Sequence, residues 1–142
     1  MGKGENIRDW IYVLDHVKAI DMVIHKALKN SKIIGQTFCV GGNSERSNLE
    51  ITKYLLKLTG GNLKMIKFVE HRLGHDLRYA IDSAKIKKLL GWEPEYKFET
   101  WLEKTVKWYQ ENTWWWKPLI KEKRPVVDRS AQKSYLNEYG KK

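Results

Sequence analysis

Glycine and asparagine residues end a series of short segments with helical or strand-like patterns along this chain of 142 residues. These residues limit the length of each helix and strand that the sequence predicts. Asp15 to Asn30 has apolar residues at helical spacing, and the Asp15 carboxylate is placed to cap the first turn. Gln36 to Val40 is rich in strand-forming residues and stops at Gly41-Gly42. The stripe predicted to face inward on the first helix is Val17, Ile20, Ile24, Ala27 and Leu28.

The rest of the chain continues this mixture of helical and strand-like patterns. A capping box at Ser47 and Glu50 opens a helix that two glycines end. Lys64 to Glu70 has apolar residues on both alternating faces, which is typical of a strand buried on most of its surface. Two further helices are predicted, over 82–90 and 98–112. The sequence therefore predicts an α/β fold, or a mixed α+β fold for this chain in isolation.

The formal net charge of +10 is unevenly spread. Residues 117–142 hold eight basic and three acidic side chains, so they carry half of the excess. Such a surface tolerates anionic partners without identifying them. The longest apolar run, Trp10 to Leu14, is far shorter than the ~20 residues of a membrane span. We therefore expect no membrane partner, and the single cysteine, Cys39, favours a reducing, cytoplasmic location.

The motifs of common enzymatic chemistry are missing from the sequence. The turn after the first predicted strand begins with Gly41 and Gly42, but Asn43 and Arg46 break the dinucleotide-binding pattern. No phosphate-binding loop, nucleophile elbow or Tyr-x-x-x-Lys pair is present. We therefore predict no catalytic and no cofactor-binding residues in this chain.

A metal site is not predicted either. His71 and His75 have the spacing of two metal ligands on a helix, but Gly74 between them argues against a helix there. Cys39 is the only cysteine, which excludes both an internal disulfide and a cysteine-built metal cage.

Four residues are suited to holding an anion. Arg8 lies in a turn ahead of an apolar segment, and Asn48 begins a helix, where free N–H groups favour negative charge. Arg72 and His75 flank Gly74, which lets the backbone approach a ligand closely. A planar guanidinium group suits a diphosphate well. Each residue also has a structural explanation, namely an ion pair with a neighbouring acid, a helix cap or an ordinary polar loop.

A different class of function is suggested by the three consecutive tryptophans at 114–116 and the basic residues that follow them. Aromatic rings and cations together are typical of a basic nucleic-acid-binding module. Tryptophan also occurs at core-like positions elsewhere in the chain, so packing explains the cluster better. Nucleic acid is therefore the less favoured partner.

Five ordered motifs strengthen the anion-binding interpretation. Residues 6–16 read Asn-Ile-Arg-Asp-Trp-Ile-Tyr-Val-Leu-Asp-His, residues 41–48 read Gly-Gly-Asn-Ser-Glu-Arg-Ser-Asn, and residues 72–82 read Arg-Leu-Gly-His-Asp-Leu-Arg-Tyr-Ala-Ile-Asp. Leu-Gly-Trp-Glu-Pro at 90–94 and Thr-Val-Lys-Trp-Tyr at 105–109 follow in the same order. Together they resemble the dTDP-glucose 4,6-dehydratases of the extended short-chain dehydrogenase/reductase superfamily, from residue 2 to about residue 118.

This resemblance implies roles for the same four residues. In that family the residues that correspond to Arg8, Asn48, Arg72 and His75 contact the nucleotide-diphosphate part of the sugar substrate. His71 stands where the family usually has aspartate, which affects contacts near the nucleoside. A leucine precedes Gly74 where the family usually has proline, which loosens the loop.

The resemblance also implies what this chain does not contain. The family's reaction uses NAD, a Tyr-x-x-x-Lys pair and an acid pair, all of which would precede Gly2. We therefore expect the C-terminal portion of such an enzyme, truncated or split, which lacks most of the Rossmann sheet and is inactive alone. Residues 1–118 would bind the dTDP-sugar, residues 119–142 would be a basic tail, and a separate N-terminal Rossmann half is an expected partner. A fragment of a related NAD-dependent nucleotide-sugar epimerase or decarboxylase is the alternative.

Overall fold

The computed structural model describes residues 2–70 and 74–121, where five α-helices accompany one two-stranded sheet. This mixture confirms the predicted mixed α+β character. None of these helices combines the length and the apolarity needed to cross a bilayer. The elements are β1 Ile7–Asp9, α1 Val13–Lys29, a 3₁₀ turn Ser31–Ile33, β2 Glu45–Ser47, α2 Asn48–Thr59, a 3₁₀ turn Leu63–Met65, α3 Ala84–Leu90, α4 Phe98–Glu111 and α5 Thr113–Lys121.

The chain divides into two units, Met1–Lys107 and Trp108–Lys142. In the second unit the rings of Trp108 and Trp115 meet edge to face, with centroids 5.4 Å apart. Most of the predicted basic tail, residues 122–142, lies outside the described residues. All the predicted anion-binding residues belong to the first unit.

Strand β1 lies at the centre of the sheet-like part of the first unit. It pairs with β2 in antiparallel register, with Arg8 opposite Arg46. On its other side, the Ile7 amide donates to the Leu77 carbonyl at 2.7 Å, and the Tyr79 amide donates to the Ile7 carbonyl at 3.1 Å. The sequence patterns predicted neither short strand. We call β1, β2 and residues 77–79 the β1 platform.

Helix α1 begins at Val13, after the N-cap residue Tyr12, and not at Asp15 as predicted. The prediction that Asp15 caps the helix is wrong. Its side chain is buried, and its carboxylate accepts hydrogen bonds from the backbone amides of Glu95 at 3.1 Å and Tyr96 at 3.3 Å. Asp15 therefore fastens the start of α1 to the segment that leads into α4.

The apolar stripe predicted for α1 is largely exposed, so this prediction is wrong for every member except Ala27. A second face of the helix, centred on the fully buried Ala19 and including Met22 and Val23, packs against the core instead. The exposed members, which we call the α1 stripe, are Val17 (52%), Ile20 (49%), Ile24 (54%) and Leu28 (81%).

The two longer predicted strands are also absent as strands from the described residues. Residues 36–40 have no regular secondary structure. Phe38 and Val40 pack against the core, but no neighbour among the described residues forms a ladder with this segment. Residues 64–70 instead enter a 3₁₀ turn and form one isolated bridge to Gly2. A strand needs a partner, which a local pattern cannot supply.

The predicted start of α2 and the predicted ends of α2 and α3 are accurate, whereas α3 begins at Ala84 and not at residue 82. The Ser47 hydroxyl accepts from the Glu50 amide at 3.2 Å, while the Glu50 carboxylate accepts from the Ser47 amide at 2.7 Å. Hydrogen bonds from Ser47 also lower the pKa of Glu50. Helices α2 and α3 end at left-handed glycines, Gly60 (φ 69°) and Gly91 (φ 76°), as predicted.

An aromatic cluster fixes α2 against the start of α4. The Phe98 and Trp101 rings meet edge to face at 5.0 Å, and Tyr54 meets Phe98 at 5.8 Å. Ile51 and Leu102 complete the buried part of this cluster. Since α2 follows β2 directly, the cluster also holds one side of the β1 platform in place.

Candidate anion-binding site

Arg8 occupies the central position of the β1 platform, and the chain holds its guanidinium group on several sides. One terminal nitrogen, Nη1, donates to the Ile7 carbonyl at 2.5 Å. The other, Nη2, donates to the Asp76 carbonyl at 3.0 Å and lies 3.0 Å from Nε2 of His75. The Tyr79 ring lies under the group, with its centroid 4.5 Å from Cζ. Arg8 is therefore fixed before any ligand arrives.

His75 meets Arg8 through the ring nitrogen Nε2. Because a guanidinium nitrogen can only donate, Nε2 must accept, and the hydrogen of the neutral ring then lies on Nδ1. The side chain is half-buried beside Gly74, which has the left-handed φ of 66°. The structure thus brings together two of the four predicted residues.

Asn48 is the first residue of α2 and is tied to the same platform through its backbone. Its amide donates to the Asn6 carbonyl at 3.0 Å, and the buried Asn6 side chain donates to the Asp76 carbonyl at 2.9 Å. That carbonyl also accepts from Arg8. The backbone of residues 75–76 therefore links Arg8, His75 and the start of α2.

Arg72, the fourth predicted residue, lies outside the described residues together with His71. The described arginine of the same motif, Arg78, forms two parallel hydrogen bonds with the Glu45 carboxylate at 2.7 and 2.8 Å. This pairing raises the pKa of Arg78 and fastens residues 77–79 to β2. Arg78 is thus a structural residue of the platform.

The Gly-Gly turn matters because the backbone passes very close to it. A Cβ atom on Gly42 would lie 2.0 Å from the Trp10 carbonyl oxygen, and one on Gly41 would lie 2.4 Å from the Asp9 carboxylate. The Asp9 carboxylate accepts the Ser44 amide at 2.8 Å. These contacts seat the turn against the end of β1, so the second motif has a packing role.

Several residues that shape the site were given no role by the sequence analysis. Their position inside the recognised motifs is the only feature of the sequence that could have identified them. Their contacts depend on pairing between distant segments, which a local pattern does not show. These residues are Asn6, Glu45, Asp76 and Tyr79.

Among the described residues, no group of three or more His, Cys, Asp or Glu side chains is placed to hold a metal ion.

The described residues form two surface cavities near the helices. One of about 480 Å³ is lined by residues of α1 and by Trp92, and one of about 370 Å³ is lined by residues of α2 and by Phe98. None of the four predicted anion-binding residues lines either of them. The second cavity borders the β1 platform through Arg46 of β2.

Comparisons with known proteins agree on one family. The family described as GDP-mannose 4,6 dehydratase matches residues 1–105. A dTDP-glucose 4,6-dehydratase from Escherichia coli is 40% identical over 130 residues, which are 84% of this chain and 34% of that protein. The crystal structure of a dTDP-glucose 4,6-dehydratase from Bacillus anthracis in complex with NAD is 45% identical with a TM-score of 0.73, covering 83% of this chain and 36% of that one.

A structure with a different named activity is also similar. The UDP-glucose 4-epimerase from Thermotoga maritima, solved with UDP-glucose, is 26% identical with a TM-score of 0.66. The match covers 80% of this chain and 34% of the epimerase. In all three cases this chain spans about a third of the length of the protein that it matches.

Proposed function

This chain belongs to the GDP-mannose 4,6 dehydratase family, and we propose that it forms the nucleotide-sugar-binding part of a dTDP-glucose 4,6-dehydratase. The observation that carries this proposal is the contact between Arg8 and His75 on a platform that also positions Asn48. The comparisons support the resemblance on which we based the expectation. Arg72 belongs to the same proposed site by its place in the motif.

We propose that the diphosphate of the sugar nucleotide binds beside Arg8. Among the described residues, three of the five guanidinium N–H groups of Arg8 have protein acceptors. The N–H of Nε and one N–H of Nη1 can therefore donate to a ligand. Hydrogen bonds from a charged guanidinium group to a phosphate are stronger than those between two neutral groups.

The backbone amides of residues 48–50 already donate to Asn6, Gly4 and Ser47, so the expected free N–H groups are not available at this helix start. We propose that Asn48 contributes its side-chain amide, at a helix N-terminus whose dipole favours an anion.

The first test is to replace Arg8 with alanine and to titrate the chain with dTDP in a calorimeter. We expect binding to weaken by roughly 1.5–3 kcal/mol, the usual worth of a hydrogen bond to a charged group. Lys88→Ala is the control, because it removes the same charge from the exposed face of α3. Equal affinities of Arg8→Ala and the unsubstituted chain for dTDP would remove Arg8 from the site.

The related epimerase reaction remains a second candidate, since the similarity extends to an enzyme solved with UDP-glucose. The two candidates differ in the nucleotide that they need. The same titration with UDP in place of dTDP separates them, because a dehydratase part should prefer the thymine nucleotide.

We propose that the dehydratase reaction depends on a cofactor-binding half, which lies in the part of the relatives that this chain does not match. One such relative was solved with NAD. We propose that this half, on the same or a separate polypeptide, packs on the α1 stripe and pairs with residues 36–40. Both features suit a sheet with an apolar face, because the α1 stripe exposes branched apolar side chains and residues 36–40 form no strand ladder among the described residues.

A binding measurement tests this docking surface. We expect the chain alone to take up no NAD, and we expect it to associate with the cofactor-binding half of a dTDP-glucose 4,6-dehydratase. Ile24→Gln in the α1 stripe should weaken the association roughly tenfold, since burying isoleucine is worth about 1.5 kcal/mol or more. Lys29→Gln places the same side chain on the polar face of α1 and should have little effect. Equal losses for both variants would contradict the surface.

A further inference from the structure

We infer that Tyr79 is a positioning residue that holds the Arg8 guanidinium group ready for a diphosphate. This inference rests on the proposed function of the β1 platform and adds a residue to it. The ring centroid of Tyr79 lies 4.5 Å from Cζ of Arg8, which is the distance of a cation–π contact. Tyr79 keeps 51% of its surface exposed, so core packing does not explain its position.

The backbone pairing places these two side chains on one face. Ile7 and Arg78 form a parallel bridge, so their side chains lie on the same side of the platform. Arg8 and Tyr79 each follow one residue later, and they therefore share the opposite side. The contact thus follows from the register of β1 against residues 77–79 and does not depend on a chance rotamer.

The phenol group gives the ring a second attachment. Its hydroxyl donates to the Asp76 carboxylate, while the Asp76 backbone carbonyl accepts from Arg8. Cζ of Arg8 lies over the Tyr79 ring, while the Asp76 carbonyl and His75 accept from Nη2. Arg8 therefore has little freedom left, and binding a diphosphate costs less ordering of this long side chain.

The main test compares Tyr79→Leu with Tyr79→Phe, using dTDP and thymidine as ligands. Tyr79→Leu removes the ring, and we expect dTDP affinity to fall roughly two- to fivefold, as for an exposed cation–π contact. Thymidine has no phosphate, so its affinity should not change. Tyr79→Phe keeps the ring and should restore most of the dTDP affinity. In an Arg8→Ala background, Tyr79→Leu should have no further effect.

Several outcomes would overturn the inference. Equal losses for dTDP and thymidine would indicate a merely structural role, and so would a full Tyr79→Leu effect in the Arg8→Ala background. A second measurement needs no ligand: the side-chain NMR signals of Arg8 should carry a ring-current shift that Tyr79→Leu abolishes and Tyr79→Phe keeps. If that shift is present but the unsubstituted chain binds no dTDP, the contact exists and the proposed function fails. If the shift is absent, the positioning role fails whatever the chain binds.

Discussion

Gly42→Ala is expected to destabilise the chain by about 3 kcal/mol or more, because its new methyl group has no room. The Cβ atom would lie 2.0 Å from the carbonyl oxygen of Trp10 and 2.7 Å from its carbonyl carbon. Both atoms belong to the backbone, which cannot rotate away as a side-chain tip can. The two segments must therefore separate.

That separation would also break the contacts at the end of β1. The Trp10 amide donates to the Ser44 carbonyl at 3.1 Å, and the Ser44 amide donates to the Asp9 carboxylate at 2.8 Å. Both bonds hold the turn next to the strand that carries Arg8. We therefore expect Gly42→Ala to lose anion binding together with stability.

Urea unfolding of two glycine variants measures the effect. Gly35→Ala is the control: Gly35 has a left-handed φ of 76°, but a Cβ atom there would meet nothing within 4 Å. It should cost only the backbone strain of an alanine with positive φ, about 1–2 kcal/mol. If Gly42→Ala were no more destabilising than Gly35→Ala, the close approach of the turn to Trp10 would be wrong.

Four of the five described α-helices could be predicted from the sequence, because a helix satisfies its own backbone and its end signals are local. The capping box at Ser47 and the left-handed Gly60 and Gly91 are signals of this kind. Helix α5, which has Pro118 inside it, was not predicted. The short strands β1 and β2 could not be predicted, since three residues carry too little pattern. Residues 36–40 do alternate as a strand should, but a local pattern does not contain the partner that completes a ladder.

Helix α1 shows a different limit of periodicity. It has two apolar faces, one with the larger branched residues of the α1 stripe and one centred on Ala19. Hydrophobicity favours the first face, whereas the core of the described residues uses the second, where small side chains allow close packing. A sequence pattern shows that a face is apolar, but it does not show what covers it.

The sequence motifs predicted some residues of the candidate site, but not the contacts between them. Arg8 and His75 were named from the sequence, and the structure places them in contact. Their roles as ligands of a diphosphate remain predictions. The part of Tyr79 could not be predicted, because it depends on parallel pairing between segments about seventy residues apart.

Asp15→Ala is expected to cost about 3 kcal/mol of unfolding free energy, although Asp15 has no proposed role in ligand binding. The carboxylate is 1% exposed and accepts two backbone hydrogen bonds, from Glu95 and Tyr96. A hydrogen bond to a charged group is worth about 1.5–3 kcal/mol, and alanine would leave both amides without an acceptor. The variant would also detach the start of α1 from the segment before α4.

Asp21→Ala is the matched control, since it removes an aspartate from the same helix where the side chain is exposed and paired with His25. An exposed pair contributes little, so we expect a change within about 0.5 kcal/mol. Asp15→Asn keeps the size and one acceptor oxygen, and it should fall between the two. Thermal or urea unfolding of the three variants measures the order. If Asp15→Ala and Asp21→Ala were equally stable, the buried carboxylate would not be what fastens α1, and the position of the α1 stripe would need another explanation.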